Sequence, residues 1–192
     1  MEALRILLDS GYPYSKKLRE SDFYNGFEKS RGNWIIISAK FSGFNEQDRL
    51  DEACANLLNE TGNPQNEGIF TLFIRPNKKI RNQLYLAQND ENKYRKILNS
   101  LSLFDYEFVY KARSCHRFTE KSTYDQLLSM APDHELKTLV GDEVNSFCVK
   151  EKFSIVYVNA LRDADSELKK YNNPLRNIFD VIRDKLSNEE VN

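Results

Sequence analysis

The apolar residues of this chain come in short runs rich in β-branched and aromatic side chains, separated by segments with helical spacing. The runs that predict strands are Trp34–Phe41, Ile69–Arg75, Tyr106–Lys111 and Phe153–Val158. The longest uninterrupted apolar runs, such as Trp34–Ile37, have only four residues, so no segment is long enough to span a membrane. Strands alternating with helices indicate an α/β (α+β) fold in which helices flank a mixed or antiparallel sheet.

Apolar residues three and four positions apart predict the helices. These cover residues 1–8, 45–59 with Asn45 as cap, 120–139 with an interruption at Pro132, 160–171 and 174–186, and one more follows the candidate caps Asn89 and Asp90. The segment Asn82–Gln88 is predicted as a further strand, paired with Ile69–Arg75 in a hairpin.

The length and composition suit one soluble domain. The 192 residues are 40% hydrophobic and 30% charged, and 28 basic against 29 acidic residues give a net charge of -1. This balance excludes a global basic field for nucleic acid, although a local basic patch is compatible with it. The N-terminus lacks the pattern of a secretory signal, and three widely spaced cysteines suggest free thiols, so we expect a cytoplasmic protein.

Motifs for metal and phosphate binding are missing from the sequence. Cys115 and His116 are adjacent, but no C-x-x-C or H-x-x-x-H spacing accompanies them, so no metal is expected. The pairs Lys29-Ser30 and Lys121-Ser122 each follow a glutamate where a phosphate loop needs glycine. We therefore expect no cofactor for this chain alone.

A basic segment, Lys111–Arg117, follows the third predicted strand. Its residues Lys111, Arg113 and Arg117 are candidates for contact with phosphate or DNA. The alternative, which the commonness of charged loops favours, is that the segment is simply solvated.

A charged cluster follows the last predicted strand. Asp163, Asp165 and Glu167 lie where a helix begins, and acids in a first turn complement the helix dipole. Arg162 is also well placed to reach a phosphate or a neighbouring subunit.

Three stretches of the chain resemble one family. The opening Glu2–Asp9 (EALRILLD) resembles the helix after the phosphate loop in ABC-type ATPases of the OLD (overcoming lysogenization defect) family, which includes the nuclease subunit of the Gabija phage-defence system. Leu18–Phe23 (LRESDF) is similar to the loop that follows there. The best match is Val156–Leu168 (VYVNALRDADSEL) with Asn173-Pro174-Leu175, which resembles the end of the first ATPase half in that family.

The resemblance implies the N-terminal part of an ABC-like ATPase head. Residues 1–32 would hold the helix and loop after the phosphate loop, 33–150 an antiparallel β-lobe with helices, and 151–192 a Q-loop-like strand and helices. Asn159, Arg162 and Asp163 would sense the nucleotide. Full-length members use ATP and Mg²⁺ and carry a Toprim nuclease domain that cuts DNA. The partners implied are the rest of the head or a second ATPase subunit, and DNA, with no membrane.

The sequence lacks the motifs with which members of that family bind and hydrolyse ATP. It starts after the expected phosphate loop and has no Walker B acid, signature motif or Toprim domain. We therefore expect a fragment, whether truncated, degraded or split, that is inactive by itself in ATP hydrolysis and DNA cleavage.

Two other functions stay open. The first is a standalone interaction or regulatory module that docks on a full-length ATPase head, with an exposed apolar patch along Leu4, Leu7 and Leu8 or along Leu175–Leu186. The second is a small nucleic-acid-binding protein that uses Lys111–Arg117 with Tyr106 and Tyr110.

Overall fold

The computed structural model describes residues 2–10, 18–23, 32–58, 67–115 and 117–153. The chain divides into two units, Met1–Phe153 and Ser154–Asn192, and every described residue belongs to the first. The predicted strand from Phe153 to Val158 and the two helices predicted after it therefore lie, apart from Phe153 itself, outside the described residues.

Four antiparallel strands form the sheet in the order β1-β2-β3-β4. They are β1 (Ile35–Phe41), β2 (Gly68–Pro76), β3 (Tyr106–Ala112) and β4 (Asp142–Glu143). The first three confirm the strands predicted near 34–41, 69–75 and 106–111. Helices flank the sheet, so the α+β fold class is confirmed.

Seven α-helices occur among the described residues. They are α1 (Glu2–Leu8), α2 (Glu52–Leu57), α3 (Lys78–Leu86), α4 (Glu91–Ser100), α5 (Lys121–Ser129), α6 (Lys137–Val140) and α7 (Ser146–Lys152). The interruption predicted at Pro132 is confirmed, since α5 and α6 stand on either side of it. In this part of the chain no helix has the length and apolar character needed to cross a membrane.

The strand predicted over Asn82–Gln88 is wrong, because these residues lie mostly in α3. The side chain of Asn77 accepts a hydrogen bond of 3.1 Å from the Ile80 amide and so caps the helix. Arg81 and Leu84, three positions apart, form its buried side. A buried arginine on that side concealed the helical period from a reading based on apolar residues, and β3 takes the place beside β2.

The helix predicted over 45–59 is shorter than expected. Asn45 and Asp48 exchange hydrogen bonds between side chain and backbone and close a turn instead, at 3.0 and 2.8 Å. Asp51 caps α2, accepting from the amides of Ala53 and Cys54. Leu50, which the helical pattern placed on the buried face, is 88% exposed because it precedes the helix.

Strand β2 is buried along its whole length. Its side chains alternate between two faces, with Phe73 on one and Leu72 and Ile74 on the other. Phe73 packs into a core cluster of buried residues from the flanking segments: Trp34, Leu127, Leu139 and Val140. Leu72 and Ile74 are also fully buried, and α1 packs against β1. Strand β2 is therefore covered on both faces.

Replacing Phe73 with alanine should lower the free energy of unfolding by about 3–5 kcal/mol, because a fully buried ring leaves a cavity. Phe104→Ala is the matched control, since Phe104 is 99% exposed, and its effect should stay within about 0.5 kcal/mol. Urea unfolding followed by tryptophan fluorescence measures both, as the chain has one tryptophan. Equal effects of the two substitutions would contradict the placement of β2 in the core.

Candidate functional site

The basic segment Lys111–Arg117 lies next to the short acidic strand β4. Pairing of β3 with β4 places Lys111 opposite Glu143 and Ala112 opposite Asp142. The Lys111 ammonium is 3.5 Å from a Glu143 carboxylate oxygen, and the Arg113 guanidinium is 3.1 Å from Asp142. Two of the three cations predicted to contact phosphate or DNA are thus paired with carboxylates.

Just before β4, the backbone of Gly141 lies close to the backbone of Ala112 and Ser114. Gly141 precedes β4 with φ +81°, and a Cβ added there would lie 2.1 Å from the Ala112 carbonyl oxygen. Asp142 accepts a hydrogen bond from Lys137 as well, at 3.2 Å. The Lys137 bond, with the Arg113 charge, holds the pKa of the Asp142 carboxyl below its usual range.

Arg117, the third candidate, is exposed and has no ion pair with another described residue. His116 lies outside the described residues, as do Asn159, Arg162 and Asp163. Contact of phosphate or DNA with Lys111, Arg113 and Arg117 stays a prediction. Nucleotide sensing by Asn159, Arg162 and Asp163 also stays a prediction.

Metal ligands are not grouped in the described part of the chain, where no three His, Cys, Asp or Glu residues come together. Its cysteines, Cys54, Cys115 and Cys148, are free thiols. Burial raises the pKa of the Cys54 thiol, which reduces the thiolate fraction and with it nucleophilic reactivity.

An arginine–glutamate cluster lies at the opposite end of β2 and β3 from β4. It consists of Arg75, Arg81, Glu107 and Glu135. Arg75 donates to Glu107 and to Glu135, both at 2.9 Å. Arg81 contacts the same two carboxylates and also donates to the Pro76 carbonyl oxygen at 3.0 Å.

The indole of Trp34 completes this cluster. The guanidinium carbons of Arg75 and Arg81 lie 5.1 and 5.6 Å from the centre of its ring. Burial, and then the neighbouring Arg81 charge, lower the pKa of Arg75. Two cations and two anions balance in charge, and their hydrogen bonds tie together β2, β3, α3 and the segment before α6.

An aromatic pocket of about 560 Å³ adjoins the same tryptophan. We use the name "aromatic pocket" for the space lined by Phe23, Asn33, Trp34, Phe118, Thr119, Lys121, Tyr124 and Asp125. The Tyr124 hydroxyl accepts from the Trp34 amide at 2.8 Å and donates to the Trp34 carbonyl oxygen at 3.1 Å. These two bonds hold α5 against the start of β1. Burial raises the pKa of Tyr124 to about 12.

Two charged side chains that line the aromatic pocket form no ion pair with another described residue. Lys121 and Asp125 lie one helical turn apart on α5 and are both exposed. Within the described ranges, no side-chain hydrogen bond or ion pair joins either of them to another residue. From its sequence context Lys121 was a candidate only for a phosphate loop, and no local pattern related it to Phe23 and Trp34.

Comparisons with known protein families, with curated proteins and with solved structures find no match to this chain. The resemblance to the OLD family therefore depends on the residues quoted for it.

Replacing Glu135 with glutamine should destabilise the protein by about 3 kcal/mol, because two buried guanidinium groups lose a charged partner. Asp133→Asn is the matched control. Asp133 also pairs with a basic residue, Lys78, but both side chains are exposed, so little change is expected. Chemical unfolding measures both variants, and a Glu135→Gln protein as stable as the control would refute a structural role for the cluster.

Alkaline pH should destabilise the fold through Tyr124. Between the ordinary tyrosine pKa of 10 and about 12, the unfolded chain releases the Tyr124 proton while the folded chain retains it. The unfolded state therefore binds fewer protons, and stability falls across this interval, by about 2 kcal/mol at most.

The Tyr124→Phe variant tests this dependence. It should be less stable at neutral pH by about 1 kcal/mol, since its hydrogen bonds to Trp34 are lost. Its stability should also decline less steeply between pH 10 and pH 12. Urea unfolding at several pH values gives the two slopes, and equal slopes would show that Tyr124 titrates alike in both states.

Proposed function

We propose that these 192 residues form part of the ATPase head of an OLD-like, ATP-dependent endonuclease that acts on DNA, in phage defence in some members of the family. The chain supplies the antiparallel β-lobe and the helix before it, in the cytoplasm. It neither hydrolyses ATP nor cuts DNA by itself. Its partners are the rest of the head or a second ATPase subunit.

The order of the first elements supports this proposal most. The EALRILLD stretch contains α1, and the similar loop Leu18–Phe23 and then an antiparallel sheet follow it, in the order that the resemblance implies. Leu7 of α1 is fully buried, and α1 packs against β1. A displacement of α1 by nucleotide bound in front of it would therefore reach the sheet directly.

The absence of phosphate-binding motifs from the sequence supports the predicted inactivity. A phosphate loop needs glycines that let backbone amides surround the phosphates, and neither Lys-Ser pair has them. In the complete enzyme, ATP and Mg²⁺ would supply the driving reaction, and Arg162 and Asp163 would respond to it.

A second candidate function, docking on a full-length ATPase head, is favoured by Phe104. This ring is 99% exposed at a turn in which the Ser102 amide and hydroxyl each donate to Asp105 at 2.9 Å. The apolar patch expected along Leu4, Leu7 and Leu8 is not formed, since Leu7 and Leu8 are buried and only Leu4 is exposed. The alternative patch, Leu175–Leu186, lies outside the described residues.

Existing contacts weigh against the nucleic-acid-binding alternative. The Tyr106 hydroxyl accepts a hydrogen bond from the Gly32 amide at 3.0 Å, and the Tyr110 hydroxyl accepts one from Lys150 at 2.8 Å. The Tyr110 ring also stacks on Phe70. These rings would have to give up such contacts before they could stack on bases.

The proposed function predicts that the 192-residue chain is inactive and that a longer protein, which includes the rest of the ATPase head, hydrolyses ATP. The 192-residue chain should release no phosphate from ATP with Mg²⁺, and should not nick plasmid DNA. The coding DNA before Met1 should contain a glycine-rich Lys-Ser/Thr segment in the same reading frame. Restoring that segment, together with the missing second half of the head, should produce phosphate release. Hydrolysis by the 192-residue chain, or no such segment upstream, would refute the proposal.

A further inference from the structure

The aromatic pocket has the size and lining of a site for a small planar molecule. Its volume of about 560 Å³ lies within the range of ligand sites in proteins, which is about 300–1,000 Å³. Four of its lining residues are aromatic: Phe23, Trp34, Phe118 and Tyr124. Such walls favour a flat ring, which can stack on them or meet their edges.

The walls are held in place by contacts with neighbouring aromatic and charged side chains. Trp34 meets the edge of Phe73 and faces the two arginines of the cluster, and Phe118 also meets Phe73 edge-on. Phe23 is held by an edge contact with Tyr106, at 5.0 Å between ring centres. A ligand would therefore enter a site whose shape already exists, which lowers the entropy lost on binding.

The charges of the aromatic pocket narrow the class of ligand. Lys121 is the one cation and Asp125 the one anion among its lining residues, and no described residue neutralises either. An ammonium can pair with one phosphate, and a carboxylate can accept a hydrogen bond from an amino group on a ring. A ligand that satisfies both has a flat ring with an amino group and, some distance away, an anionic group.

We propose that the aromatic pocket binds a nucleotide, with its amino-bearing base between the aromatic side chains and near Asp125, and its phosphate paired with Lys121. One cation suits a monophosphate better than a triphosphate, whose charge calls for Mg²⁺ or several basic groups. An aromatic amino acid also offers a ring and both charges, so L-phenylalanine is the competing ligand in the test below. The site is separate from any phosphate loop.

Tryptophan fluorescence of the full 192-residue chain reports directly on this site, because Trp34 is the one tryptophan and lines the pocket. The probes are AMP, adenosine, purine riboside 5′-monophosphate, which lacks the amino group, and L-phenylalanine. AMP should change the emission to saturation without Mg²⁺, with Kd below about 1 mM. Free N-acetyltryptophanamide corrects for absorption by the nucleotides.

Two substitutions on exposed helical positions separate the roles of the charges. Lys121→Gln should weaken AMP about fivefold or more and leave adenosine unchanged, since it removes the partner of the phosphate. Asp125→Asn should weaken AMP and adenosine but hardly affect the analogue without an amino group. Lys96→Gln and Glu46→Gln change exposed charges elsewhere and should bind AMP like the wild type. Circular dichroism checks that all four variants fold.

The same base and phosphate could come from free nucleotide or from single-stranded DNA. A short oligodeoxyadenylate that binds more tightly than AMP, and loses affinity in the same two variants, would identify the strand as the source; weaker binding would identify the free nucleotide. The proposal is overturned by no saturable response to AMP up to about 5 mM, by equal affinity in Lys121→Gln, Asp125→Asn and their controls, or by tighter binding of L-phenylalanine.

These results are independent of the proposed function. Binding in the aromatic pocket requires Lys121 and Asp125 but no Mg²⁺, whereas the ATPase proposal is tested by phosphate release and by the sequence before Met1. Either proposal can therefore fail while the other stands.

Discussion

Burial of strand β2 on both faces is the constraint on which the described structure depends. All nine residues from Gly68 to Pro76 are buried, and one of them, Arg75, is charged. A buried guanidinium is tolerated only when carboxylates and hydrogen bonds replace its water. Glu107 from the paired strand and Glu135 from the segment before α6 supply them, and the same carboxylates bind Arg81 of α3. The carboxylates that make the burial of Arg75 possible thereby also position α3.

At both ends of the sheet the charged side chains are paired with opposite charges, whereas the charged side chains of the aromatic pocket are not paired with another described residue. At one end the arginine–glutamate cluster balances four charges, and at the other the carboxylates of β4 pair with Lys111 and Arg113. Both sets of charges are used in holding elements together. Lys121 and Asp125 hold nothing together among the described residues, although each lies beside a wall of the pocket. For this reason the aromatic pocket is a better candidate for a ligand site than the basic segment.

The proposed place of the chain in an ATPase head and the proposed nucleotide site involve different parts of the molecule. The first depends on α1, its packing against β1 and the stretches that resemble the OLD family. The second depends on α5 and on Trp34, the residue directly before β1, to which the Tyr124 hydroxyl is hydrogen-bonded. The two regions are close along the chain, because Trp34, which lines the aromatic pocket, directly precedes β1, the strand against which α1 packs.

Local patterns in the sequence determined β1, β2, β3 and the start of α4, because β-branched runs and capping residues act over neighbouring residues. Of the two candidate caps, Asp90 is the one that accepts a hydrogen bond, from the Lys93 amide at 3.1 Å. Local patterns failed over Asn82–Gln88, because the buried Arg81 just before this segment occupies the apolar side of the helix, and its distant partners Glu107 and Glu135 make that burial acceptable. The sequence also identified Lys111 and Arg113 as cations, but not the carboxylates opposite them. Those pairings and the walls of the aromatic pocket were decided by the tertiary structure alone, since strand register and helix packing bring together residues that no local spacing relates.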